Sequence, residues 1–267
     1  MQLAAAALKF RPMNFRLKAF SLHVLASIGL LSLVLGALYL GWYRWPGWYL
    51  SSALSVVPIL IGVDVALGPL ITLLIANPAK PRRELARDIG CIALVQLAAL
   101  IYGSITLWSG RPLYYAFSED RLQLVQALDL KPDEIARARK ENPALAPHWY
   151  SRPRWVWAPI PADSAERARI IASAIKGGEE VIQMPRYFKP WAEGLPSLRG
   201  RLESVDAQAR DDIRLRRHKL DMQQRVVTLG LAADQAATLM MTGRSAPMLA
   251  VFDPKDLQLM AFLRSDR

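Results

Sequence analysis

Three long apolar stretches fill most of residues 19–109, and each is long enough for one membrane crossing. Ala19–Tyr43 carries no charged residue other than the titratable His23, Leu54–Ala76 holds only Asp64, and Ile89–Trp108 holds no charge. A hydrocarbon core about 30 Å thick takes roughly 20 such residues as helix. Ala19–Tyr43 is longer than the apolar part of a secretory signal, and no A-x-A cleavage site precedes Arg44, so a span is expected there rather than a leader. The pattern predicts a basic tail over 1–18, a three-helix transmembrane region over 19–109 with spans near 19–43, 54–76 and 89–108, and a separate domain over 110–267.

Beyond residue 110 the apolar runs shorten and alternate. Tyr114–Phe117 and Leu122–Val125 around Ser118-Glu119-Asp120 predict a hairpin. Pro132 opens a helix to about Lys140, and the three-proline stretch Asn142–Pro153 is a loop before a strand at Arg154–Ala158. Asp163 or Ser164 caps a helix to Ile175 that Gly177-Gly178 stops. Pro185–Pro196 is irregular and aromatic, and Leu202–Leu220 is a charged amphipathic helix. Strands follow at Thr238–Thr242, Met248–Phe252 and Leu257–Leu263, the last two joined by a type I turn through Asp253-Pro254-Lys255-Asp256. This is an α+β domain with a small antiparallel sheet.

Composition sharpens the picture. The chain has 267 residues, 52% apolar and 21% charged, with net charge +11, where soluble domains average about 25% charged. Residues 110–267 hold 25 of the 34 basic and 20 of the 23 acidic residues, net +5, which leaves +6 in the most apolar part. That asymmetry excludes a fully soluble enzyme and a disordered tail. It also argues against a nucleic-acid partner, because the basic excess has another use. Lys9, Arg11, Arg16 and Lys18 precede the first span, Arg44 alone lies in the first connection, and Lys80, Arg82, Arg83 and Arg87 lie in the second. The positive-inside rule then puts the N-terminus in the cytoplasm and everything after Trp108 outside. In a bacterium this is an inner-membrane protein with a periplasmic domain. Trp42, Tyr43, Trp45, Trp48 and Tyr49 in the first connection form an expected interfacial aromatic belt. Cys91, the only cysteine, has no intramolecular disulfide partner and is expected as a small packing residue.

The second span is not a plain anchor. Pro58, Gly62, Gly68 and Pro69 weaken its backbone ladder and predict a kink that needs neighbouring helices. Asp64 falls near the midplane, where an acid is costly unless protonated or partnered. Gln96, Tyr102, Ser104 and Ser32 are candidate partners, while His23 lies too near the cytoplasmic end. Either Asp64 ties the bundle together, or it serves another protein's transmembrane helix or a proton. Ser32/Gly36, Gly62/Ala66 and Ala99/Gly103 give four-residue small spacings that permit close helix approach.

Chemistry is otherwise sparse. His23, His148 and His218 are far apart, and H-E-x-x-H, C-x-x-C, G-x-S-x-G and P-loop motifs are missing from the sequence. No catalytic residue, cofactor or metal is expected, and His148 belongs to a loop. The basic run Arg210–Lys219 is interrupted by acids and suits a solvated helix face, an acidic partner or lipid head groups. Trp149, Tyr150, Trp155, Trp157, Tyr187, Phe188 and Trp191 form either core or an exposed patch for protein or membrane.

The stretch Gly62-Val63-Asp64-Val65-Ala66-Leu67-Gly68-Pro69-Leu70-Ile71-Thr72-Leu73, followed by Asn77-Pro78, Arg87-Asp88, Val95-Gln96, Ala99-Leu100, Tyr102-Gly103 and Arg111-Pro112, resembles the TfpX/TfpZ family of type IV pilin accessory proteins. Arg16–Phe20, His23 and Ser27 match its start, with Met13 the expected initiator, and the likeness covers roughly residues 14–125. The resemblance implies an inner-membrane protein that helps a type IV pilin become a pilus, without known catalysis. It marks Asp64, Gly68, Pro69, Asn77, Pro78, Asp88, Gln96, Tyr102, Gly103, Arg111 and Pro112. Asp64, Gly68, Pro69, Gln96, Tyr102 and Gly103 are the candidate partner-binding set. The implied partners are the pilin, membrane lipid and other inner-membrane pilus-assembly proteins. A pilin waits in the membrane as one apolar helix, which a kinked three-helix bundle could hold from the side. The rival reading is a small transporter or intramembrane enzyme using Asp64, which lacks a second acid and an inverted repeat.

Overall fold

The computed structural model describes residues 15–51, 53–211, 213–232, 234 and 236–264. The tail before Phe15, with Lys9, Arg11 and the expected start at Met13, lies outside the described residues. The chain forms two compact units, one from residues up to 37 together with 55–106, the other from 38–54 together with 107 onward.

Three helices are long and apolar enough to cross a membrane: Phe15–Gly41 (α1), the composite Ala53–Ile75, and Arg82–Ser109 (α5). The last begins seven residues before the expected span, since Arg82, Arg83 and Glu84 are good helix formers in water. The composite helix is α3 (Ala53–Ile61), a π-helical turn at Gly62–Leu67, and α4 (Gly68–Ile75). The anticipated kink is therefore a widened turn, and Gly68 N–H donates to Val63 O, five residues back.

In the second unit, β1 (Pro112–Ser118) and β2 (Arg121–Gln126) form the expected hairpin, turned at Glu119 with φ +52°. Next come α6 (Pro132–Glu141), β3 (Arg154–Trp157) and α7 (Ser164–Ile175). Asp163 caps α7 by accepting from Glu166 N, and Gly177 turns the chain away at φ +72°. β4 (Lys189–Pro190), α8 (Trp191–Arg199), α9 (Val205–Asp211), α10 (Ile213–Thr228), β5 (Ala237–Thr242), β6 (Met248–Phe252) and β7 (Leu259–Arg264) complete the chain.

The small antiparallel sheet expected from the sequence is replaced by a mixed, seven-stranded one in the order β4-β3-β1-β2-β5-β6-β7, so the domain is α/β. β3 joins β1 in parallel and β5 joins β2 in parallel. Such pairings need long crossovers, which local alternation does not reveal. Strands β1 and β6 are buried on both faces and give continuous apolar runs. Other elements shift for local reasons. Pro185–Pro196 includes the start of α8, which carries Pro196 inside it and runs to Arg199. The helix expected from Leu202 starts at Val205 because Glu203 exchanges backbone bonds with Thr238, at 3.0 and 2.8 Å. Its described parts are α9 and α10, the second ending at Thr228. The last strand begins at Leu259 because Leu257 has φ +59°.

One sheet face buries Phe117, Leu122, Leu239, Met241 and Phe252; the other packs Tyr114, Val156 and Ile170 on one side and Leu249, Val251 and Met222 on the other. The first face is completed from a distance in sequence. Residues 38–54 belong to this unit, and α2 (Gly47–Leu50) buries Tyr49 and Leu50 in that core. Leu50 O accepts from Arg244 N at 2.8 Å and Ser245 N at 3.2 Å, Ser245 Oγ donates to Tyr49 O, and Tyr43 Oη donates to Leu107 O at 2.7 Å. The expected aromatic belt is corrected accordingly: Tyr43 and Tyr49 are buried and Trp48 packs on the core. The second aromatic group divides as well. Trp155, Trp157 and Trp191 pack on one core cluster and Tyr187 and Phe188 on another, while Trp149 and Tyr150 stay exposed.

Two outcomes follow from this packing. Leu50→Ala empties a fully buried site and should destabilise the second unit by about 2–5 kcal/mol, read as a lower Tm of the full chain in detergent, whereas Ile175→Ala, on a side chain 81% exposed, should change little. Burial pushes the Tyr114 and Tyr115 phenols up to about 12. An unfolded tyrosine ionises near pH 10, so both contribute fully below that pH and the contribution is lost as pH rises toward 12. Thermal stability should fall across that alkaline window, and Tyr114→Phe should make the fall shallower.

Candidate functional site in the membrane unit

The π-helical turn creates the site. Five residues after Asp64 comes Pro69, which has no N–H, so the wide-turn bond to Asp64 O cannot form. A bare carbonyl in hydrocarbon costs several kcal/mol. Gln96 of α5 supplies the missing donor, its Nε2 standing 2.9 Å from Asp64 O. The amide reaches because Gly68 has no side chain: a Cβ there would overlap the Gln96 carboxamide.

That bond orients the rest. With Nε2 committed to Asp64 O, Gln96 Oε1 accepts from His23 Nε2 at 2.7 Å. His23 Nδ1 lies 2.6 Å from Thr72 Oγ1, whose hydroxyl is also 3.1 Å from Gly68 O. The hydroxyl hydrogen serves one of these acceptors at a time. Eight residues separate Asp64 from Thr72, about 12 Å of helix. Gln96 and Thr72 close that distance, which brings His23 of α1 into the group although the sequence reading set it aside. Tyr102, 75% exposed on α5, and the outward-facing Ser32 do not join it.

Beside this relay is a cavity of about 390 Å³, lined by His23, Asp64, Thr72 and Gln96 and otherwise by apolar residues such as Leu22, Leu30 and Leu97. Asp64 is 4% exposed, and both of its carboxyl oxygens are buried without a hydrogen-bond partner. Gln96 therefore reaches the backbone of Asp64 and leaves its carboxyl group open to a donor that enters the cavity. Among the described residues no cluster of three or more His, Cys, Asp and Glu could hold a metal.

The other positions that the resemblance marks have local work. Gly103 lets Leu60 lie against α5, since a Cβ there would overlap the leucine side chain. Asn77 Oδ1 accepts from Ala79 N at 3.0 Å and its carbonyl from Lys80 N at 3.1 Å, a turn that carries Pro78 past the end of α4. Lys80 Nζ meets Asp88 Oδ2 at 2.7 Å across the second connection. In the second unit, Arg111 donates through Nη1 to Trp108 O at 2.7 Å, with its guanidinium 4.4 Å over the Trp108 ring; burial lowers its affinity for the proton. Pro112 opens β1. Cys91 is on the outer surface of α5, not packed inside as expected.

No protein-family model matches the chain, and no solved structure does. Three curated proteins of Dichelobacter nodosus are similar to it. The fimbrial assembly protein of serogroups C1 and C2 is 30% identical over 124 residues, which is 46% of this chain and 95% of that protein. The fimbrial assembly proteins of serogroups I and E1 are 27% and 26% identical over 188 residues, covering 69% of this chain and 70% of each.

The relay predicts a graded response to added methyl groups. Gly68→Ala must displace Gln96 and break its bonds to Asp64 O and His23, lowering the Tm of the detergent-solubilised chain. Gly62→Ala, where a Cβ meets nothing within 4 Å, should leave Tm unchanged or slightly raised.

Proposed function

Because the chain belongs to the family of fimbrial assembly proteins, we propose that it works in type IV fimbrial biogenesis as a membrane accessory that receives the fimbrial subunit's transmembrane helix. The finer assignment, to the TfpX/TfpZ pilin accessory proteins, is part of this reading and rests on the residues from Asp64 to Pro112 that resemble them. The observation that carries it is the Asp64 carboxyl group, buried without a partner beside an apolar cavity. A buried acid left open is costly and favours an arriving group that donates a hydrogen bond. Leu22, Leu30 and Leu97 line the same cavity and are exposed, so a helix lying against them would reach it from the lipid side.

The second unit fits the same role. Residues 38–54 and the domain after 107 share one core, so they lie on one side of the membrane, as two crossings by Ala53–Ile75 and α5 require. The Lys and Arg distribution supports reading that side as the periplasm, where the domain would hold the subunit's globular part. Lipid surrounds the spans, and other inner-membrane assembly proteins are further partners in this reading.

A photo-crosslinking residue at Leu22, Leu30 or Leu97 should yield an adduct with the fimbrial subunit in membranes of fimbriated cells; absence of an adduct from a variant that still supports fimbriae would overturn the proposal. Asp64→Asn, which keeps the shape and removes ionisation, should reduce surface fimbriae several-fold at unchanged protein level. Normal fimbriation in that variant would exclude ionisation of Asp64 from the mechanism.

A further inference from the structure

We propose that the loop around Trp149 and Tyr150 is an interfacial anchor that seats the second unit on lipid head groups. Trp149 is 70% exposed and Tyr150 59%, although both are large aromatics in a loop otherwise held firmly. His148 N donates to Ser151 Oγ at 2.8 Å and Ser151 N to His148 O at 3.1 Å, so a tight turn presents the two rings outward. The rings meet edge to face at 5.5 Å, and His148 stacks on Tyr150 at 5.4 Å.

The depth of this turn is set by what it is tied to. Trp42 Nε1 donates to Ser151 O at 2.7 Å, and Trp149 lies 6.4 Å from Trp108, which in turn meets Trp42 at 4.8 Å. Trp42 immediately follows α1, and Trp108 is the last but one residue of α5. The uncharged run from Ile89 to Trp108 rises about 30 Å as helix, one hydrocarbon thickness. Its outer end is therefore at the boundary with water, and a side chain one ring contact away is at head-group level. Tryptophan and tyrosine favour that layer because each joins an apolar ring to a polar handle. Arg111, stacked over Trp108, and the exposed Arg152 add positive charge there. Lipid is the occupant because the loop is tied to Trp42 and Trp108, which stand at the ends of two helices long and apolar enough to cross a membrane.

The test uses the full chain in vesicles of phosphatidylethanolamine and phosphatidylglycerol. A polarity-sensitive fluorophore is attached at Tyr150→Cys in a Cys91→Ser background, and separately at Ile175→Cys. The label at 150 should emit to the blue of the label at 175 and be quenched by lipids carrying a nitroxide near the head group, while the label at 175 is not. Aqueous emission and no quenching at 150 would overturn the proposal. So would shielding that scales with the protein-to-lipid ratio, which would mean that another protein copy covers the loop. The double variant Trp149→Ser/Tyr150→Ser should change energy transfer from the label at 175 to acceptor lipids; unchanged transfer would show that the rings anchor nothing.

Discussion

A single amide, that of Gln96, joins the second apolar helix to the first and third through hydrogen bonds. Pro69 removes the donor that a widened turn would offer Asp64 O, and hydrocarbon supplies no water to replace it. Only a side chain from a neighbouring helix can do so, and Gly68 is the gap through which it arrives. Once that bond exists, the amide can face only one way, and its oxygen fixes His23, which in turn meets Thr72. One proline thus links all three apolar helices through polar atoms. The same arrangement spends Gln96 on a backbone carbonyl and leaves the neighbouring carboxyl group open. The bundle is closed where its ladder is broken and open at its acid.

The second unit solves a related problem with apolar surface. Its sheet needs both faces covered, and the residues after β1 cover one face with α6, α7, α9 and α10. The other face lacks a full set of partners among those residues. Tyr49 and Leu50 complete it, held by backbone bonds from Arg244 and Ser245 and by the guanidinium of Arg264 at 4.4 Å over the Tyr49 ring. Gly243 permits this approach, since a Cβ there would overlap the Leu50 carbonyl. Aromatic residues that hydropathy would assign to the bilayer surface are thereby part of the second unit's interior.

Much of this was legible in the residues. Apolar length gave the three long apolar helices to within seven positions at their ends, and Asp163 with Gly177-Gly178 bounded α7 correctly because caps are local chemistry. Strand order was hidden, since the two parallel pairings depend on crossovers rather than on alternation, and β4 is only two residues long. In the membrane, Asp64 and Gln96 stood out as polar residues within apolar runs. His23 was set aside by counting depth along its own helix, which ignores the reach of Gln96 and Thr72. Thr72 gave no signal because a hydroxyl in a span is commonly satisfied by its own helix. Gly68 and Gly103, two of the candidate partner-binding positions, make room for Gln96 and Leu60 of this chain.

The burial of Tyr49 and Leu50 also bears on how the molecule is made. The second apolar helix carries two prolines, two glycines and an acid in one run. Were it left out of the bilayer while α5 crossed, the first connection and the later domain would be stranded on opposite sides. The slot for Leu50 would then stay empty and the sheet face around it open to water. Closure of that core thus needs residues from before the second apolar helix and after the third, so the second unit completes its fold only when both have been brought together.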